Sequence, residues 1–295
     1  MDWFWAFPHL DDESLRWMRV TIDETFRDFT RAWGDPIQQV FEPLRLLLIY
    51  AEWVMLNTPW MIVILAIAAI AWFASRSWSI VLGSIVTLLL IGYFDMWEDT
   101  MRTISMIFVC TLISLVLGIP IGIAMARSNR AQRIISPILD VMQTLPSFVY
   151  LIPVVMLLGI GRVPGLLAVV IYAIPPIIRL TNLGIRLVNK EVLEAADAFG
   201  SSSWQKLINV QIPLAMPTIM TGINQTIMMA LAMVVIASMI GVQGLGQPVL
   251  RAINNQYFTM GILNGLAIVG IAIIFDRVSQ AFGKRMQKHR EHAHG

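Results

Sequence analysis

Long apolar runs separated by short charged segments set the pattern of the chain. Residues 53–75, 77–94, 103–126, 141–161, 163–178, 207–250 and 252–275 contain no Asp, Glu, Lys, Arg or His. A helix crossing a bilayer needs roughly 17–25 mainly apolar residues, and most of these runs reach that length. The 163–178 run is short and carries Pro164, Pro175 and Pro176, so a broken or tilted span is expected there. The 207–250 run is too long for one helix. Its end, Gly241-Val242-Gln243-Gly244-Leu245-Gly246-Gln247-Pro248, reads as a loop or re-entrant turn after a helix that begins near Pro213. The pattern therefore predicts an all-α membrane protein with about seven transmembrane helices. Its parts are an N-terminal segment over 1–57, two spans over 58–97, the remaining spans over 98–280 and a basic tail over 281–295.

The N-terminal segment has a different rhythm. Leu15, Met18, Ile22, Phe26, Phe29 and Trp33 recur at helical spacing, Gly34-Asp35-Pro36 reads as a stop, and Ile37, Val40, Phe41, Leu44, Leu47 and Leu48 form a second stripe. Two amphipathic helices are expected, either interfacial and bracing the outer face of the bundle or an accessory segment without a specific task. Within the spans, Gly118 with Gly122 and Gly261 with Gly265 have the small-residue spacing that lets helices approach closely. Ser136-Pro137 has the form of an N-cap and first helical residue opening the fourth span.

Composition agrees with a bilayer environment: 57% of the 295 residues are hydrophobic and 14% charged, against about 25% charged in soluble domains. Charge placement gives orientation. Segments 75–78, 127–136, 179–212 and 276–295 hold thirteen of the twenty-one Lys and Arg. By the positive-inside rule these are cytoplasmic, which puts the N-terminus outside and the C-terminus inside. The basic residues border spans rather than forming a soluble basic face, so nucleic acid is not expected as a partner. Met1-Asp2-Trp3 opens without a basic n-region and the first strongly apolar run comes late, so no secretory signal peptide is expected. Cys110, the single cysteine, lies mid-span and excludes a disulfide framework. His289, His292 and His294 are read as part of a solvated basic tail, not as metal ligands.

The chain needs an external energy source if it pumps. Asp95, Asp140 and Asp276 fall at the ends of the predicted spans, no Glu, Lys, Arg or His sits mid-span, and no G-x-x-x-x-G-K-[ST] phosphate loop is present. A passive channel or a subunit driven by a separate ATPase remains. The second needs a cytoplasmic docking element, and the segment after Asn189 offers one. Lys190-Glu191-Val192-Leu193-Glu194-Ala195-Ala196-Asp197-Ala198-Phe199 has acids in its first turn and a stop at Gly200. Ser202 and Gln205 then form a capping box that opens a second short helix with Trp204, Leu207 and Ile208 on one face. The physics alone admits two readings, a projecting knob or an amphipathic loop packed on its own bundle.

These residues carry a family likeness. Glu194-Ala195-Ala196, Gly200, Val210-Gln211-Ile212-Pro213 and Pro217 resemble the EAA loop of type I ABC importer permeases, of approximate form EAA-x3-G-x9-I-x-L-P, with Val210 and Ile212 as mild departures. A narrower likeness spans about 140–250. Gln143-Thr144-Leu145-Pro146-Ser147-Phe148-Val149-Tyr150-Leu151-Ile152-Pro153, Pro175-Pro176-Ile177-Ile178-Arg179-Leu180-Thr181, Asn224-Gln225-Thr226 and the run from Met233 to Gly246 are similar to the glycine betaine, proline betaine and choline permeases. The resemblance implies a homodimer in the bacterial inner membrane, a cytoplasmic ATPase that holds ATP and Mg, and an extracytoplasmic binding protein that captures substrate. The permease itself would bind no cofactor, and Glu194, Ala195, Ala196, Gly200, Val210, Ile212 and Pro213 would couple it to the ATPase.

Gln143, Thr144, Ser147 and Tyr150 on the fourth span and Asn224, Gln225, Thr226 and Ser238 on the sixth are polar in apolar surroundings. They either line a translocation path or join helices by hydrogen bonds, worth about 0.6 kcal/mol each in one membrane system. Two rival functions stay open: a type I permease for another small solute such as an amino acid, and an osmotically gated channel, which would leave the 190–213 segment without a role.

Overall fold

The computed structural model describes residue 7 and residues 9–291, with side chains as far as 285. His292 and His294, and the side chain of His289, lie outside the described residues. Among the described residues the structure is helical throughout: α1 (Asp12–Asn57), α2 (Trp60–Ser75), α3 (Trp78–Tyr93), α4 (Trp97–Arg127), α5 (Asn129–Thr144), α6 (Leu151–Leu158), α7 (Arg162–Ala173), α8 (Pro175–Arg186), α9 (Lys190–Ala198), α10 (Ser203–Lys206), α11 (Ile212–Ala237), α12 (Gly246–Asn255) and α13 (Phe258–Glu291). Four helical stretches are long and apolar enough to cross a membrane: Trp97–Arg127, Arg162–Arg186, Ser203–Ile240 and Phe258–Arg285. Two further pairs qualify only when a sharp bend is included, α1 with α2 at 109° and α5 with Ser147–Leu158 at 111°. The 16-residue α3 is shorter than a usual span.

Both bends have one cause. A residue before proline is driven out of the α region, and Thr58 before Pro59 and Leu145 before Pro146 are extended, with ψ of 131° and 133°. The fourth predicted span is corrected accordingly. The helix starts after Ser128, whose hydroxyl caps the Ala131 amide; Pro137 lies inside it, and the break falls at Pro146 rather than at Ser136. The N-terminal expectation is corrected too, because α1 is one helix of 46 residues, not two. Pro36 and Pro43 sit on its exposed side, and each leaves one helix carbonyl without its usual donor. Gly34 is used for approach rather than as a stop: a Cβ there would lie 3.3 Å from the Leu157 carbonyl of α6. At its start, Asp11 accepts from the Ser14 amide at 2.9 Å, and this bond holds the Asp11 carboxyl below the ordinary carboxylate range.

The core is built around α7–α8, one helical stretch from Arg162 to Arg186 interrupted only at Ile174, where Pro175 and Pro176 have no amide to donate. Leu166, Val169 and Ala173 of α7 pack with Met106, Val109 and Cys110 of α4 and with Ala230, Met233 and Val234 of α11. Further along, α8 is held between α4 and α11 by glycines. A Cβ on Gly122 would meet Thr181 at 2.6 Å, one on Gly184 would meet Thr218 at 3.0 Å, and one on Gly222 would meet Leu180 at 3.1 Å. The Gly118–Gly122 pair is thus a real close approach. The Gly261–Gly265 pair is not, since Gly261 meets only Ala252 and nothing lies within 4 Å of a Cβ on Gly265.

The loop expected over 241–248 is present in its first part only. The 241–248 stretch is a short turn, with Gly241 and Gly244 at φ of 89° and 132°, and a helix begins at Gly246. Residues 252–255 belong to that helix rather than to the last span. Helix α13 runs on past Asp276 to Glu291, with Asp276 and Ser279 partnered by Asn224 of α11.

Candidate functional site

The segment after α8 folds as a small self-braced unit. The Asn189 side chain accepts from the Glu191 amide at 2.9 Å and starts α9. The helix ends where Gly200 takes a left-handed φ of 76°, with the Ser201 amide returning to the Ala196 carbonyl at 3.0 Å and the Gly200 amide to Asp197 at 2.9 Å. This is the two-bond closure that a C-terminal glycine permits. Ser202 and Gln205 form the expected capping box, their reciprocal bonds measuring 3.3 and 2.9 Å. Lys206 then ties the second helix to the first through both carboxylate oxygens of Asp197, at 2.5 and 2.7 Å.

The unit stands off the bundle. No residue of α9 is buried, Glu194 and Ala195 are exposed, Ala196 is half-buried, and Phe199 and Trp204 are 91% and 62% exposed. Val210, Ile212 and Pro213 are half-buried where the chain re-enters the bundle. The second helix is not separate. It runs into α11 through a wide turn over Leu207–Gln211, in which the Ile212 amide reaches the Leu207 carbonyl. That turn divides the expected apolar face, burying Leu207 against Met125 and Leu139 and leaving Trp204 and Ile208 outside. Arg186 fixes the root of the unit. Its guanidinium donates to Asn182 at 2.9 Å, to Asn129 at 2.8 Å and to the Met125 carbonyl at 2.8 Å, a carbonyl in the last turn of α4 that has no partner within the helix.

The polar span residues do not form one site. Gln143 and Thr144 are exposed at the end of α5, Ser147 opens the 3-10 turn after Pro146, and Tyr150 is buried behind it. The Tyr150 hydroxyl donates to the Met142 carbonyl across the bend, and its ring meets Tyr172 edge-on at 6.0 Å. Asn224 faces α13, donating to Asp276 at 2.8 Å and accepting from Ser279 at 2.5 Å. Ser238 is buried and returns its hydroxyl to the Val235 carbonyl, Thr226 is buried without a partner, and Gln225 is exposed. Among the described residues no hydrogen bond joins the fourth-span set to the sixth-span set.

At the end of the bundle away from α9 lies a cluster that the sequence did not reveal. Glu52 of α1, only 7% exposed, pairs with Arg162 at 2.7 Å. The Gln243 side-chain oxygen accepts from Arg162 at 3.2 Å and from Arg102 at 2.7 Å. Four segments remote in sequence are joined there. The only signal available was that each charge stood beside an apolar run.

The chain is thus a helical bundle with several candidate membrane spans and a self-braced helical unit projecting from one end. The model for binding-protein-dependent transport system inner membrane components matches residues 118–288, and the chain belongs to that family. It is 50% identical over 237 residues to the glycine betaine/carnitine transport permease GbuB of Listeria monocytogenes, covering 79% of this chain and 84% of that one. It is 48% identical over 247 residues to the glycine betaine/proline betaine transport system permease ProW of Escherichia coli, covering 84% and 70%. The inward-facing MetNI methionine ABC transporter superposes with a TM-score of 0.57 at 19% identity, over 62% of this chain and 92% of that one, and shares the fold.

Proposed function

We propose that the chain is the translocation subunit of an ATP-driven importer for glycine betaine or a closely related quaternary amine, and that it works as a homodimer with a cytoplasmic ATPase and an extracytoplasmic binding protein. The observation that carries the reading is the projecting α9 unit. It is exposed, internally cross-braced and rooted through Arg186 on α4 and α5, so a push on its surface reaches the spans without being lost in a soft loop. Glu194, Ala195 and Ala196 lie on it, Gly200 closes it, and Val210, Ile212 and Pro213 carry it into α11. An osmotically gated channel gives this unit no task. The partner ATPase supplies the chemistry of ATP and Mg. With α9 cytoplasmic, the N-terminus lies outside, and α1 with α2 and α3 forms an addition outside the shared core.

The substrate class rests on the relatives, whose names pair glycine betaine with carnitine or proline betaine. A quaternary ammonium is well held by an aromatic cage, and an unpaired charge inside the membrane is costly. Tight capture therefore belongs to the binding protein, and this chain offers weak contacts, for which Gln143, Thr144, Ser147 and Tyr150 at the α5–α6 bend are better placed than Asn224, whose amide is occupied by α13. The test is uptake by proteoliposomes holding the permease, its ATPase and the binding protein, offered glycine betaine, proline betaine, choline and an amino acid. ATP-dependent uptake of a quaternary amine is expected. Uptake of the amino acid alone, or uptake independent of ATP, would overturn the reading.

A further inference from the structure

An apolar groove of about 390 Å³ between α2, α4 and α13 has no part in the permease role described so far. Ile62, Ala66 and Ile70 of α2, Phe108 of α4 and Ile271 and Phe275 of α13 line it, and Thr58 is the only polar side chain among the lining residues. It continues past Ile70 and Phe275 along the same helices to Phe73 and Phe282. From Ile62 to Phe73 α2 rises roughly 16 Å at 1.5 Å per residue, about half of the ~30 Å hydrocarbon core, which is the depth of one leaflet. The walls open sideways, with Ile62, Ile70 and Phe73 all more than half exposed.

The far end of the groove is basic. Arg76 terminates α2 in a left-handed conformation and lies over the Trp72 and Phe73 rings at 5.8 and 5.9 Å. Arg285 donates to the Phe73 carbonyl, and Arg277 lines the adjoining cleft between α3 and α13. Among the described residues none of these three arginines forms an ion pair, and the nearby Asp276 carboxylate accepts from Asn224 and Gln280. A groove with one hydroxyl and otherwise apolar walls offers a zwitterion no charged partner. A chain-like apolar ligand with an anionic end matches both its walls and its basic end.

We propose that this groove binds an anionic phospholipid, with an acyl chain along α2 and α13 and the phosphate at Arg76 and Arg285. Assignment to the cytoplasmic leaflet rests on the orientation proposed above; the site itself does not, and its test involves no transport. The full-length permease, purified in mild detergent, is examined by native mass spectrometry with added phosphatidylglycerol or phosphatidylethanolamine. Phosphatidylglycerol should be retained at least tenfold more strongly. Arg76→Gln with Arg285→Gln should remove that preference, and Ala66→Trp, at an exposed groove position, should reduce retention of either lipid fivefold or more. Continued protection of the buried Cys110 thiol confirms that the variants are folded. Equal retention of the two lipids by the unaltered protein, or unchanged retention in both variants, would overturn the proposal. Loss of the dimer in Ala66→Trp would overturn it in favour of a second copy of the chain as occupant.

Discussion

Gly122→Ala tests the packing that holds α8 against α4. An ideal Cβ at this position lies 2.6 Å from the Thr181 Cβ and 2.8 Å from the Ile178 carbonyl oxygen, roughly 0.6 to 0.8 Å inside the 3.4 Å at which ordinary contact begins. Neither neighbour can rotate away, because one is backbone and the other is a β-carbon. Helices α4 and α8 must separate, and overpacking of this kind costs about 1–3 kcal/mol, against a gain of up to about 1 kcal/mol from replacing glycine within a helix. Gly265→Ala is the matched control: nothing lies within 4 Å of its Cβ, so only the gain remains. The two variants should therefore differ by about 1–3 kcal/mol, or several degrees at roughly 2–4 °C per kcal/mol. Cys110, the only cysteine and fully buried on α4, supplies the probe. A maleimide that fluoresces on thiol addition reports when α4 leaves the core, at one fixed heating rate because membrane proteins often unfold irreversibly. A midpoint for Gly122→Ala equal to or above that of Gly265→Ala would refute the argument.

Other outcomes follow from the same geometry. Gly200→Val places a β-branched residue at a φ of 76°, at a cost of roughly 1–2 kcal/mol; with Glu194→Lys it should leave insertion intact while separating ATP hydrolysis from uptake, and normal coupled uptake in both would remove the coupling assignment. In a Cys110→Ala background, Ser128→Cys should resist an impermeant thiol reagent added outside intact cells and react after permeabilisation; labelling from outside would invert the topology. Glu52→Ala leaves Arg162 unpaired at a site where the glutamate is buried but the arginine side chain is 34% exposed, so a loss of about 1–2 kcal/mol is expected, below the 3–5 kcal/mol of a fully buried pair. The thiol-exposure midpoint measures it, and an unchanged value would mean that α1 is not keyed to the core through this pair.

The α9 unit was the most legible part of the chain because its determinants are local. Asn189, Gly200 and the Ser202–Gln205 box each act within a few residues of themselves, and each behaves as its type predicts. The bends at Pro59 and Pro146 were just as local, yet unbroken apolarity masked them: hydropathy measures where a segment can reside, not whether it is straight. Gly34 illustrates the opposite difficulty. A glycine followed by Asp35-Pro36 has the form of a stop, and only the nearness of Leu157, far along the chain, shows that it serves a helix crossing. The Glu52–Arg162–Gln243–Arg102 cluster and the Asn224–Asp276 lock depend wholly on tertiary proximity, so spacing carried no trace of them. The polar residues of the fourth and sixth spans looked alike in sequence, and the distinction between an exposed Gln143 and an occupied Asn224 belongs to packing alone.

The wide turn at Leu207–Gln211 has a consequence for how the α9 unit is aimed. Such a turn accommodates one residue more than a regular helix would over the same rise, and successive residues of an α-helix are set about 100° apart at 1.5 Å intervals. The azimuth of Glu194 and Phe199 around the axis of α11 is therefore recorded in the number of residues between Gly200 and Pro213. Removing one residue from 207–211 would restore a regular helix over the same rise and leave the exposed face nearly where it is, whereas removing one from the regular helix beside it, with the wide turn kept, would swing that face by about 100°. A partner docked on that face would meet a different surface. Outside the wide turn the interval thus acts as a phase angle, while the wide turn itself is the one place where the interval can lose a residue without re-aiming the unit.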